Sequence, residues 1–366
     1  MVFNFTKVEK ILFSLLRMAL HGTVENDLDW KSITEEEWKS CYKLAASHGV
    51  MAVAWDGIQC IETEKVLPRS LKIAWGIAVQ NYEERYEEFC QVVSELSDTF
   101  KQQGIEMVQI KGVGLSTCYP IPSHREGGDI DIYTYSANHE CYSDTEANHK
   151  ADEVMRNMGI AVEDAHQRHS NFVYRGIPVE NHRNFVSVHL YDVARPMNQL
   201  LVKLLRPQTV SLCDGKYQVN VPPADFNCLY LPFHAAQHYG EGIKIHHLFD
   251  IACLIKREGW QLPPQVTDTR LLRFINSLVS LCNQLFKLEV QVADEEAFTE
   301  EVYQQMMHPK YSHKIPVKGR TAVFIYKVKR ALRAYQMLKK VFRFTFFRWL
   351  GNSIVFHLRK PRSIFR

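Results

Sequence analysis

The segment Gly128-Asp129-Ile130-Asp131-Ile132 sets two carboxylates two residues apart in a run that reads as a β-strand. Successive strand side chains point to opposite faces, so Asp129 and Asp131 share one face while Ile130 and Ile132 share the other. The apolar face can enter a core, and the acidic face keeps two charges about 7 Å apart along the strand. Anions held that close repel each other unless a cation sits between them. A hard divalent ion such as Mg²⁺, which takes carboxylate oxygens at about 2.0–2.1 Å, resolves the repulsion. A solvated strand with an acidic outer face produces the same pattern, so the pair alone leaves both readings open.

The flanking residues narrow the choice. Ile105, Met107, Val108 and Ile110 form a strand-like run that ends at Lys111-Gly112, and Val113 to Cys118 reads as a short helix. Tyr119-Pro120, a turn with Pro122, and Arg125-Glu126-Gly127-Gly128 then lead into Asp129. From Ile110 to Tyr135 this order resembles the uncharacterised nucleotidyltransferase family of the DNA polymerase beta-like superfamily. The signature of that family runs approximately LKG, then YPxPxxR, then GDIDxLV.

The superfamily needs a third carboxylate on a neighbouring strand, and in this family it lies in a motif like Glu-Leu-His-Trp. Phe172–Tyr174 and Ile177–His182, with Gly176 between them, read as a hairpin. On its second strand Glu180 and His182 share one face, and Ile177, Val179 and Asn181 share the other. Glu180 is therefore the candidate, although Asn181 and Arg183 stand where the family has apolar and aromatic residues. Asp192 is the second choice, and a surface glutamate on a hairpin is the bland alternative.

The resemblance implies a nucleoside triphosphate (NTP), a hydroxyl acceptor and two Mg²⁺ ions, with Mn²⁺ as a substitute. Asp129, Asp131 and Glu180 would hold the ions about 3.5–4 Å apart for an in-line displacement at the α-phosphorus. Lys111, Gly112, Ser116, Arg125 and Gly128 are the candidate nucleotide contacts. Gly112 would let backbone amides approach the phosphates, and the start of the Val113 helix favours anions. Arg125 could instead brace the acidic strand through an ion pair. His182, His234 and His238 are candidate substrate contacts. Family members occur in gene neighbourhoods for surface polysaccharides and modified peptides, so the implied acceptor is a small molecule, sugar or peptide. Two alternatives remain: a non-catalytic binding or scaffold protein that keeps the fold, and a phosphotransferase using the same metals.

The elements that must position these groups form an α+β protein, a small mixed β-sheet core flanked by N-terminal and C-terminal helical regions. Expected boundaries are 1–104 (helical), 105–220 (the sheet core), 221–315 (helical) and 316–366 (a basic helical tail). Tyr82, Tyr86, Phe89, Val93, Leu96 and Phe100 recur at helical spacing, and an aromatic stripe of that kind is core rather than a ligand box. Gly104 is placed to end that helix, and a further helix is expected over about 144–158. The N-terminal run is interrupted by Glu9, Lys10 and Arg17, so it predicts an amphipathic helix rather than a signal peptide. Nine scattered cysteines without a CxxC pair point to a reducing, cytoplasmic setting and away from a disulfide framework or a zinc site.

The C-terminal helical region holds His234, His238, His247 and Asp250, either as a metal-ligand set or as packing against the sheet. Residues 302–366 carry 16 Lys and Arg and no Asp or Glu, which leaves the rest of the chain acidic. From about residue 324 to 366, large apolar residues share the tail with those cations. That combination suits an anionic membrane surface, as at the inner face of a membrane, or docking onto the protein's own acidic body; nucleic acid ranks behind both.

Overall fold

A computed structural model describes residues 4–25, 27–61, 66–137, 145–164, 166–293, 295–309 and 319–351. Helices α1 (Lys7–His21) and α2 (Glu35–His48) begin alike. Thr6 with Glu9, and Thr34 with Glu37, exchange hydrogen bonds in reciprocal capping boxes. The expected N-terminal helix is thus present, but from Ile11 to Leu20 only Arg17 escapes full burial, so α1 is a core helix. Helix α3 (Met51–Gln59) packs against it. Helix α4 (Arg69–Lys101) carries the predicted stripe: Tyr86, Phe89, Val93, Leu96 and Phe100 are buried and Tyr82 is half-buried. Gly104, at φ 70°, completes the turn into β1 (Ile105–Gln109), two residues beyond the cap at Gln102.

The sheet is mixed, as expected. Strands β2 (Ile130–Ser136), β3 (His169–Tyr174) and β4 (Ile177–His182) join β1 in the order β1-β2-β4-β3. Only β2 and β4 run parallel. A one-turn helix α5 (Val113–Ser116) follows β1, and α6 (Thr145–Asn157) lies between β2 and β3. Ile105, Met107, Ile130, Ile132 and Val179 form one core with α4 and α6. The opposite face, through Val108, Tyr133 and Tyr135, joins a second core, where Tyr133 packs on Phe185 at 4.4 Å. Two further elements were not anticipated: helix α7 (Ala194–Leu204) and the hairpin β5 (Gln208–Leu212) with β6 (Tyr217–Val221). The hairpin was legible, since alternating apolar residues flank Asp214-Gly215, a strong turn signal.

Helices α8 (Ala224–His238), α9 (Ile245–Glu258), α10 (Thr269–Phe286) and α11 (Glu296–Met307) cover that second face. Their core is continuous with the N-terminal helices: Ile11, Leu15 and Trp38 belong to the same cluster as Phe249, Phe274 and Leu285. Helix α12 (Arg320–Val341), which a short helical stretch over 346–351 follows, divides in character. At its end Met337, Leu338, Val341 and Phe342 are buried, and Lys340 pairs with Glu301 at 2.5 Å. Arg348 pairs with Asp192 at 2.7 Å, so the second-choice carboxylate serves as a surface anchor for the tail. At the start of α12, Phe324, Ile325, Val328 and Leu332 are exposed. Residues 352–366 of the expected membrane-facing tail lie outside the described residues. No described helix is long and apolar enough to cross a membrane.

Candidate metal and nucleotide site

Register brings the acidic groups together. In the parallel β2–β4 pair, Asp131 stands opposite Glu180 and Tyr133 opposite His182. Residues opposite one another on paired strands share a face, and so do residues two apart on one strand, so Asp131, Glu180 and His182 converge. His182 Nε2 lies 3.0 Å from Asp131 Oδ1 and 3.4 Å from Glu180 Oε2. Asp131 and His182 are fully buried, and Glu180 is half-exposed with His169 Nε2 at 3.7 Å. Asp129 falls one residue before β2 and is half-buried, so the two aspartates meet the site from a loop end and a strand.

Lys111 governs the electrostatics. Its ammonium is 3.1 Å from Asp131 Oδ2. Burial acts to raise Asp131, but Lys111 and then His182 outweigh it and hold the carboxyl well below the usual range. Burial acts to lower Lys111, yet Asp131 and Asp129 push its pKa up. Asp129 is raised, first by burial and then by the Asp131 charge. Glu180 is lowered, because the hydrogen bond and charge of His182 overcome its burial. Three ionised carboxylates outnumber the two groups whose positive charge acts on them, Lys111 and His182, so the cluster keeps an excess negative charge that a divalent ion neutralises. The donor set fits such an ion, and the buried Asp131 Oδ2 accepts no well-directed hydrogen bond even with Lys111 beside it.

A cavity of about 250 Å³ opens beside the cluster. Lys111, Gly112, Gly128, Asp129 and Asp131 line one wall, and His234, His246, His247 and Asp250 from α8 and α9 line the other. Gly112 has a φ of 71°, which L side chains rarely adopt, and an added Cβ would sit 2.7 Å from Gln109 Nε2, so the end of that side chain would have to shift. The start of α5, however, is not an open anion site. The helix is a single turn, and the Gly114 amide already donates to Gln109 Oε1 at 2.8 Å. Ser116 also turns away from the cavity: its hydroxyl donates to the Val113 carbonyl at 2.5 Å and lies 3.2 Å from Tyr86 Oη.

Arg125 braces α9 rather than the acidic strand. Its Nε and Nη2 donate to the two Asp250 oxygens at 2.9 and 2.8 Å, and Tyr119 Oη donates to the same carboxylate at 2.6 Å. Sequence reasoning did not identify the two residues that flank it. His124 lies between Asp56 and Glu83, and Glu126 accepts the Met51 and Ala52 amides at the start of α3. All three residues tie the loop before Asp129 to distant helices, and such partners leave no local pattern in the chain.

The histidine group does not form a metal site. Among the described residues, the cluster with metal-ligand spacing is Asp131, Glu180 and His182, with ligand atoms within 4.8 Å of one another. His234 borders the cavity, is nearly fully buried, and its Nδ1 has no hydrogen-bond partner. Burial, then the Lys111 charge, holds it well below the ordinary histidine range. His238 packs edge-on against His234, centroids 4.6 Å apart, and does not line the cavity. The residues that depart from the family motif have structural partners: Asn181 bonds to Asp152 and Asn148, and Arg183 to Asn148.

A mixed sheet with carboxylates on two adjacent parallel strands, enclosed by helices, is the arrangement that the resemblance to the nucleotidyltransferases implies. The model of a family described as uncharacterised nucleotidyltransferase matches residues 34–287, and the chain belongs to that family. Among solved structures it is similar to an antigenic nucleotidyltransferase-like protein from Paracoccidioides brasiliensis, at 13% identity and a TM-score of 0.35. That alignment covers 56% of this chain and 95% of the other. No curated protein matches.

Proposed function

We propose that this protein moves a nucleoside monophosphate from an NTP to a hydroxyl group of a small-molecule, sugar or peptide acceptor, using divalent metal ions. The observation that carries the reading is the in-register pairing of Asp131 with Glu180, with Asp129 beside them at a cavity. Asp129, Asp131 and Glu180 would hold the ions. Bound Mg²⁺ or Mn²⁺ supplies charge neutralisation for the triphosphate and acidifies the acceptor hydroxyl.

The protein's own groups do the rest. Lys111 keeps Asp131 ionised and offers its ammonium to a phosphate oxygen at the same wall. Gly112 and Gly128 add no side chain of their own to that wall. His234, neutral and with Nδ1 unpaired, is placed to hydrogen-bond the acceptor across the cavity. The acceptor hydroxyl releases its proton to solvent, its oxygen forms a bond to the α-phosphorus as the bond from that phosphorus to the bridging α–β oxygen breaks, and pyrophosphate leaves. The exposed apolar start of α12, beside Lys329 and Arg330, supports a second part of the reading: contact with an anionic membrane surface.

The test is calorimetric titration of each NTP with Mg²⁺, on wild type and on an Asp129→Ala/Asp131→Ala double variant that circular dichroism shows to be folded. Metal-dependent binding in wild type, lost in the variant, is expected. Folded wild type that binds no NTP returns the chain to the scaffold reading.

A further inference from the structure

The cluster contains a nitrogen ligand that an all-carboxylate nucleotidyl-transfer site does not need. His182 Nε2 points between the two carboxylates, 3.0 Å from Asp131 Oδ1 and 3.4 Å from Glu180 Oε2. Two ligands bound at right angles to one ion, each at about 2.1 Å, lie about 3.0 Å apart. The 3.0 Å spacing is that of a hydrogen bond and equally that of neighbouring ligands around a small divalent ion, and the 3.4 Å spacing is slightly wider. The ring is fully buried, as is Asp131, so neither end of the contact is a mobile surface group.

We infer that His182 is a direct metal ligand, and that Asp131 Oδ1, Glu180 Oε2 and His182 Nε2 form a mixed oxygen–nitrogen site for a divalent transition ion in preference to Mg²⁺. The inference deepens the proposed function and rests on it. Mg²⁺ favours an all-oxygen shell and gives up water reluctantly, whereas imidazole nitrogen favours first-row transition ions. The two oxygens of Asp131 divide the work. Oδ2 faces the Lys111 ammonium at 3.1 Å, and Oδ1 is on the side of the imidazole. An ion bound to Oδ1 therefore need not displace the lysine.

The proton must be accounted for. Nε2 binds a metal only without its hydrogen, so the ring N–H then resides on Nδ1. The carbonyl oxygen of Asn184 lies 3.4 Å from Nδ1 and can accept that hydrogen. Arg168 Nε, also 3.4 Å from Nδ1, has to turn aside, since both groups would be donors.

The experiment uses the full chain with Mn²⁺ as the probe. Electron spin-echo envelope modulation of bound Mn²⁺ reads ¹⁴N coupling from a ligating imidazole, and competition titration gives the ratio of Mn²⁺ to Mg²⁺ affinity. Expected in wild type are imidazole coupling and a ratio above about 10; in His182→Gln the coupling disappears and Mn²⁺ affinity falls by about tenfold or more, with Mg²⁺ much less affected. Absence of nitrogen coupling in wild type refutes the ligand without any variant, and if His182→Gln misfolds, His169→Gln and His234→Gln, each expected to keep the coupling, assign it to His182. Mn²⁺ that binds, is lost on Glu180→Gln and shows no nitrogen coupling overturns His182 as a ligand while the nucleotidyltransferase reading stands. No Mn²⁺ or Mg²⁺ binding, with or without NTP, overturns both.

Discussion

Replacing Asp250 by alanine tests whether the loop that delivers the aspartates is held by a buried ion pair. The Asp250 carboxylate accepts two hydrogen bonds from Arg125 and one from Tyr119, and the Arg125 and Asp250 side chains are each only 8% exposed. Asp250→Ala leaves a desolvated guanidinium without its partner, which costs about 3–5 kcal/mol, and strands the Tyr119 hydroxyl for about 1 kcal/mol more. Arg125→Met/Asp250→Leu removes both charges and keeps the volume, so most of that loss should be regained. Urea unfolding at pH 7, followed by circular dichroism, measures the three proteins side by side. A loss below about 1 kcal/mol for Asp250→Ala, the size of an exposed pair, refutes the brace. The double variant also separates brace from phosphate contact. Folded double variant that keeps NTP affinity supports the brace, and a loss near 100-fold makes Arg125 a nucleotide ligand.

Three other outcomes follow from the same geometry. Burial lowers the His124 pKa, but the Asp56 and Glu83 carboxylates overcome it and raise it; stability is then fully present below the unfolded value of about 6.5 and lost as pH rises through the folded one. Urea midpoints between pH 6 and 9 should show that decline in wild type, and His124→Gln should flatten it. Ser116→Ala should leave NTP affinity within about twofold, since its hydroxyl serves Val113 and Tyr86 rather than the cavity; calorimetry checks it. Wild type should co-sediment with vesicles rich in phosphatidylserine and not with phosphatidylcholine alone. Phe346→Ser/Phe347→Ser should weaken that binding, because Phe347 is 82% exposed beside the basic tail. Equal binding to both vesicle types would count against an electrostatic surface.

Local periodicity carried much of this protein in the chain itself. Alternation along Asp129–Ile132 and Ile177–His182 separates acidic from apolar faces, because strand side chains alternate whatever the sheet. The aromatic spacing from Tyr82 to Phe100 likewise marked the buried face of α4, and Gly104 the turn after it. The Cys213–Lys216 turn was equally local, and its hairpin went unread although Asp214-Gly215 announced it.

Tertiary structure decided what depends on register and on distant partners. Nothing in the sequence states that Asp131 pairs with Glu180 rather than with a residue two positions away, because a two-residue shift keeps every side chain on its own face; the assembled sheet sets that register. Arg125 finds Asp250 across 125 positions, and Lys111 meets Asp131 across a strand pair, so neither partner was predictable from spacing. Burial then converts these contacts into chemistry. Out of water, the Lys111 and His182 contacts hold Asp131 ionised, while burial and the Asp131 charge raise Asp129. The residue types of the site were therefore set by the chain, and their charges and partners by the fold around them.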